Sequence, residues 1–265
     1  MSIFHAIILG IVEGLTEFLP ISSTAHLVIT SHLLGILQSD FTKTFEIVIQ
    51  LGAIAAVGLL YAKKLIKQPQ IIGKIVAGFV PTAIIGFALY KIIKNYLLGN
   101  MTITAWALTL GGIGIILFEK WYQKKQVQSL SYGDTNQNNN LQEVSYPVAI
   151  WMGFWQALAV IPGVSRSAAT IMSGMSKKIS REAAVEFSFL LAAPTMLGAA
   201  ALDIYKDPGA LAQGNIVVLL IGLIVSFAIA YITMKWLLKY VQTHSFTGFG
   251  WYRILIGVII LLFLI

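Results

Sequence analysis

Apolar stretches about as long as a bilayer crossing recur from one end of this chain to the other. Runs near 43–62, 75–93, 101–118, 183–202, 215–234 and 250–265 each approach the roughly 20 residues that carry a helix across about 30 Å of hydrocarbon. Six spans are predicted, with no room between them for a large soluble domain. Only 11% of the residues are charged and 57% are hydrophobic, whereas a soluble domain carries roughly a quarter charged. The bilayer is therefore the expected solvent, and a single membrane domain over 1–265 is the simplest count. The N-terminus lacks the basic start and small-residue cleavage site of a removable leader, and Glu13 and Glu17 interrupt its apolar run, so it is expected to be mature structure. The chain has no cysteine. That excludes disulfides and thiolate chemistry and leaves any metal to oxygen or imidazole ligands.

Two further apolar stretches, 1–36 and 147–175, are broken midway by Pro20-Ile21-Ser22-Ser23 and by Pro162-Gly163-Val164-Ser165-Arg166-Ser167. Proline and glycine stop a helix there, and lipid tolerates unpaired backbone only where protein or a polar cavity surrounds it. Each stretch is predicted to be a re-entrant hairpin. Lys63, Lys64, Lys67, Lys74, Lys120, Lys124, Lys125, Lys177, Lys178, Arg181, Lys235, Lys239 and Arg253 fall on one side of that layout, and Lys43, Lys91, Lys94 and Lys206 on the other. The richer side is cytoplasmic by the positive-inside rule. This dispersed pattern accounts for the net charge of +7 better than nucleic-acid binding, which would gather the charge into one stripe.

The polar, low-complexity segment around Asn136-Gln137-Asn138-Asn139-Asn140 reads as a cytoplasmic linker, 123–145, between halves 1–122 and 146–265. The halves align weakly. Gly10-Ile11-Val12-Glu13-Gly14-Leu15 matches Gly153-Phe154-Trp155-Gln156-Ala157-Leu158, which brings Ser22 onto Ser165 and Ala25 onto Ala168. A hairpin plus three spans, repeated after an odd number of crossings, returns with opposite topology. The expected fold is an all-α polytopic membrane protein built as an inverted repeat, with broken helices meeting around a polar site near the midplane.

The residues at those breaks can carry chemistry. Glu13 and Glu17 share one helix face within an otherwise apolar run, and burying a carboxylate in hydrocarbon costs at least about 2.5 kcal/mol. Such a pair can hold a hard divalent cation, or keep one proton between two carboxylates. Ser22, Ser23 and Thr24 stand where the hairpin's second helix begins, which alone suits capping. His26, one turn after Ser23, can set its imidazole beside the hydroxyl. In the second hairpin Ser165, Arg166, Ser167 and Thr170 bring hydroxyls and a guanidinium to the equivalent helix start. The arginine fork matches two phosphate oxygens, and free N–H groups there favour an anion.

Glu13-Gly-Leu-Thr-Glu17-Phe-Leu-Pro-Ile-Ser-Ser-Thr-Ala-His26 together with Pro162-Gly-Val-Ser-Arg-Ser-Ala-Ala-Thr170 closely resembles the undecaprenyl-diphosphate phosphatase, or bacitracin-resistance, family. The likeness extends to Lys43-Thr44-Phe45-Glu46-Ile47-Val48-Ile49-Gln50-Leu51-Gly52 and Pro194-Thr195-Met196-Leu197-Gly198. Ala25 and Ala168 depart from it, standing where the family usually has glycine. The resemblance implies a Mg2+- or Ca2+-dependent enzyme that removes the terminal phosphate of undecaprenyl diphosphate and so recycles the lipid carrier for cell-wall glycans. It places the family's acidic motif on Glu13 and Glu17, its serine-histidine motif on Ser22, Ser23 and His26, and its arginine motif on Ser165, Arg166, Ser167 and Thr170. The unrelated acid-phosphatase-like lipid phosphatases need a second histidine after the arginine, and none occurs between Arg166 and His244.

In the expected mechanism Arg166 and the hairpin helix starts, with Thr24 among them, hold the diphosphate. A cation near Glu13 and Glu17 neutralises charge, and Ser23 attacks with His26 as base. Attack by His26 itself, or by water that it activates, stays open. The expected partners are undecaprenyl diphosphate and the bilayer of the bacterial inner membrane, with room for a homodimer and no role for nucleic acid. The expected site opens to the periplasmic or external side. A transporter or flippase for a polyprenyl phosphate is the rival reading, because carriers also use inverted repeats with broken helices.

Overall fold

The computed structural model describes residues 1–36, 39–92, 96–97, 100–131, 141–206 and 215–264. Among them are ten α-helices and no strand: α1 Ile3–Thr16, α2 Ser23–Leu33, α3 Asp40–Lys67, α4 Gln70–Ile92, α5 Met101–Ser131, α6 Tyr146–Gln156, α7 Arg166–Ser176, α8 Arg181–Lys206, α9 Ile216–Tyr240 and α10 Thr247–Phe263. Side-chain caps start several of them. Ser2 accepts from the His5 N–H, Ser39 from that of Thr42 and Asn215 from that of Val217, which satisfies donors that the first turn leaves open.

Among the described residues five helices are long and apolar enough to cross a membrane: Phe41–Lys67, Gln70–Leu89, Met101–Lys125, Arg181–Leu202 and Ile216–Tyr240. The expected sixth, α10, is apolar but only 17 residues long. The surface of the bundle carries Phe4, Leu59, Ile84, Phe87, Leu110, Trp251 and Leu262 exposed. Apolar cover on that scale suits a polytopic membrane protein and would drive aggregation in water. The expected linker begins as helix, since α5 runs on to Ser131, and Asn136-Gln137-Asn138-Asn139-Asn140 lies outside the described residues, as does Lys94.

Both predicted breaks are present. Residues 17–22 separate α1 from α2, and a 3-10 turn, Ala157–Val160, followed by residues 161–165 separates α6 from α7. Residues 17–23 are all buried, so the first break lies inside protein, as its non-helical backbone requires. Phe18 meets Phe189 of α8 edge-to-face, ring centroids 5.1 Å apart, within a core that also holds Leu19, Ile21 and residues of α3, α7 and α8.

The helices pair across the halves. α1 packs on α9, α6 on α4, α3 on α8, and α5 on α10. Close approach at two of these crossings requires glycine: a Cβ on Gly153 of α6 would lie 1.9 Å from the Gly78 carbonyl oxygen of α4, and one on Gly10 of α1 would lie 2.8 Å from that of Gly222 in α9. One end of the bundle gathers charge. Lys64 pairs with Glu186 at 2.6 Å, Arg181 binds both oxygens of Glu119 at 2.7 and 2.9 Å, and Glu119 also accepts from the Phe246 N–H.

Arg253 corrects the sequence reading. Counted above among thirteen basic residues at the cytoplasmic edge, it is instead 0% exposed and surrounded by backbone carbonyls near the two breaks. Apolar residues flank it on both sides in α10, and its fork is fully engaged inside the bundle, so it carries no information about sidedness. Twelve basic residues remain on that side of the layout, against four on the other.

Candidate active site

The two breaks meet at a cavity of about 140 Å³ lined by Glu17, Ser22, Ser23 and Thr24 from the first and by Pro162, Gly163, Ser165 and Arg166 from the second. Ser22 and Ser165, matched in the repeat alignment, both precede helices and both adopt left-handed backbone, φ 71° and 74°. A non-glycine residue persists there only when its surroundings hold it.

Glu17 is the hub. Its Oε2 accepts a short hydrogen bond from the Ser23 hydroxyl, and its Oε1 faces Nε and Nη2 of Arg166, each at 3.4 Å. Nη1 of Arg166 donates to the Ser188 carbonyl at 2.8 Å, and the guanidinium lies over the Phe18 ring. A hydroxyl beside a carboxylate and a guanidinium has a proton acceptor and an anion-binding fork within reach of one cavity.

Glu13, one turn before Glu17, is completely buried, and among the described residues no hydroxyl, amide or cationic group donates to either of its carboxylate oxygens. Glu17 and Glu46 are its acidic neighbours. An orphaned carboxylate with a second carboxylate beside it fits a hard cation, which takes oxygen ligands and fills its remaining positions with water or phosphate. Among the described residues no group of three or more acidic or imidazole side chains could hold a metal ion, so an ion on Glu13 and Glu17 would need water or phosphate for its other positions.

The remaining expected residues divide. Ser167 donates to the Leu19 carbonyl at 2.7 Å and ties one break to the other. The Ser165 hydroxyl caps α7 through the Ala168 N–H and sits 3.2 Å from that of Ser167. Thr170, fully buried, bonds the Arg166 carbonyl and the Ser188 hydroxyl and does not line the cavity. His26 is not beside the Ser23 hydroxyl as expected. Its Nδ1 is 2.7 Å from the Ser22 carbonyl and its Nε2 is 2.8 Å from the Tyr252 hydroxyl, with the two rings stacked. The imidazole reaches back along its own helix to residue 22, which turns it away from the cavity.

Sequence reasoning passed over Gln50 and Met196, which line the cavity from α3 and α8, and over Ser188, Tyr252 and Arg253. Gln50 and Met196 lay within the quoted resemblance but carried no separate signal. Arg253 did, because a charge within the last apolar run invites the same cost argument that singles out Arg166.

The sequence matches the family described as Bacitracin resistance protein BacA over residues 6–259. It is 48% identical over 259 residues to an undecaprenyl-diphosphatase of Aquifex aeolicus, covering 98% of this chain and 97% of that protein. It is similarly 47% identical over 264 residues to an undecaprenyl-diphosphatase of Wolinella succinogenes, covering 100% and 99%. Identity to one from a Sulfurihydrogenibium species is 45% over 259 residues, covering 98% of each.

Proposed function

Because the chain belongs to the bacitracin resistance protein family, we propose that it hydrolyses undecaprenyl diphosphate to undecaprenyl phosphate and inorganic phosphate, returning the lipid carrier to cell-wall synthesis and conferring bacitracin resistance. The observation that carries this reading is the Ser23–Glu17–Arg166 chain of contacts at a cavity where two broken helices meet. Arg166 and the first-turn N–H groups of α2 and α7 bind the diphosphate. The Ser23 oxygen attacks the terminal phosphorus and its proton passes to Glu17. The bond from that phosphorus to the bridging oxygen breaks, and undecaprenyl phosphate leaves with that oxygen. Water then cleaves the phosphoserine, releasing phosphate and restoring the hydroxyl. Glu17 takes the role of base that the sequence assigned to His26, because among the described residues Glu17 is the group that the Ser23 hydroxyl bonds. His26 instead steadies the first break through Ser22 and Tyr252.

Glu13 and Glu17 are the residues that would hold Mg2+ or Ca2+, and the bound ion would supply positive charge to offset that of the diphosphate. Ser22, Thr24, Ser165 and Ser167 shape the phosphate subsite, and Thr170 holds Ser188 and α7 behind it.

The layout expected from the sequence is retained as part of this reading: six spans, α10 being the sixth, and two re-entrant hairpins in inverted halves 1–122 and 146–265. Reciprocal pairing supports it, since α1 on α9 mirrors α6 on α4. Gly10 meets Gly222 as its aligned partner Gly153 meets Gly78. The charged end bearing Lys64, Lys74 and Arg181 is then cytoplasmic, and the cavity opens outward from the inner membrane.

Phosphate release from undecaprenyl diphosphate by purified protein in detergent tests the enzyme against the transporter or flippase reading. No compartments exist there, so a carrier yields no phosphate, and absence of release at any Mg2+ or Ca2+ concentration would favour the carrier.

A further inference from the structure

Arg253 is the largest side chain wholly withdrawn from solvent, and the chemistry proposed above leaves it unused. Its Nη1 donates to the carbonyls of Pro20 at 3.2 Å and Val164 at 3.0 Å, its Nη2 to those of Gly163 at 2.8 Å and Ala107 at 3.1 Å, and its Nε to that of Leu108 at 3.4 Å. A buried guanidinium is costly unless its donors are met. Here the acceptors are peptide oxygens on three separate elements: the first break, the second break and α5. We propose that Arg253 is a positioning residue that clamps the two breaks to each other and to α5, and so sets the geometry of the cavity between them.

The clamp explains how two serines keep left-handed backbone. Pro20 lies two residues before Ser22, and Gly163 and Val164 immediately precede Ser165, so the fork holds the chain on the approach to each strained residue. In a trans peptide the C=O and the following N–H point opposite ways. Turning the Val164 carbonyl onto Arg253 therefore turns the Ser165 N–H away from the guanidinium, in a residue that lines the cavity. The fork's planar shape matters, because a lysine ammonium is a point charge with three donors and cannot span acceptors spread over three elements.

The inference rests on the cavity being the reaction site, so its test includes a readout independent of turnover. The first variant is Arg253→Lys. The second is Gly111→Ala, which keeps Arg253 but sets a Cβ 2.1 Å from its Nη2 and 2.9 Å from its Cζ, forcing the fork aside. Spin labels at Thr24→Cys and Leu158→Cys in the otherwise cysteine-free full-length chain report the distance between the breaks by dipolar EPR, and unlabelled proteins give kcat and KM. The expected result is a narrow distance distribution in the parent and a broadened one in both variants, with kcat reduced about 10- to 100-fold, as misplaced reacting groups cost, and KM nearly unchanged. Should Arg253→Lys fail to fold, Gly111→Ala carries the test alone. A parental distribution and parental kcat in Gly111→Ala would overturn the clamp. Broadening in both variants of a parent that releases no phosphate would uphold the clamp and reject the functional reading.

Discussion

Glu17 serves two partners at once, the Ser23 hydroxyl and the Arg166 guanidinium. In the proposed mechanism, diphosphate entering the cavity would compete for Arg166 and free Glu17 to take the serine proton. Glu17→Gln keeps the shape but cannot accept that proton, so kcat is expected to fall by at least about 100-fold, within the range of general-base effects. Adding Ser23→Ala should cost little more, since the two residues act as one unit. A multiplicative loss in the double variant would separate them. Arg166→Lys keeps the charge and loses the fork, and phosphate-release kinetics should show a drop of about 10-fold or more. His26 and Tyr252 share one hydrogen bond at 2.8 Å. Tyr252→Phe is therefore expected to slow turnover only about 2- to 10-fold, the worth of such a bond, and to add nothing to His26→Ala. A His26→Ala protein as inactive as Ser23→Ala would return His26 to the chemistry.

At the scale of elements, helix contacts made through bare backbone set how the halves meet. Gly153→Ala drives a methyl into the Gly78 carbonyl of α4, whereas Gly114→Ala meets nothing within 4 Å. Thermal inactivation in detergent should show the first destabilised by about 1–3 kcal/mol, the usual cost of overpacking, and the second unaffected. Equal behaviour of the two would mean that α4 and α6 are not held at this crossing. The helices and both breaks were legible because hydrophobic length and Pro/Gly interruption are local signals. The orientation of His26 was not. Spacing places it one turn from Ser23, but its ring is directed by the Ser22 carbonyl behind it and by Tyr252, 226 residues away, and the second partner cannot be read from local pattern. Arg253 was visible as a charge but was assigned to a membrane edge, because nothing near it in sequence names the distant carbonyls that bind it.

For the whole molecule, the twelve-to-four distribution of basic residues predicts an outward-facing cavity. Thr24 is exposed and lines that cavity, so Thr24→Cys in intact cells should react with a membrane-impermeant thiol reagent and be protected by a substrate analogue. Reaction solely from the cytoplasmic face would invert the orientation. The residues gathered at the breaks, Glu17, Ser23 and Arg166, were all singled out from sequence because each is polar where the solvent is lipid. Their contacts with one another could not be read from sequence, because they form only where the two breaks, more than 140 residues apart, meet. The proposed mechanism has Ser23 performing the hydrolysis within that meeting point. Its most direct test is phosphate release from undecaprenyl diphosphate by purified Ser23→Ala protein beside the wild type, with substrate binding followed in parallel. The wild type should release one phosphate per lipid, and the variant should bind the lipid yet release phosphate at the background rate. Release by Ser23→Ala at the wild-type rate would contradict the claim.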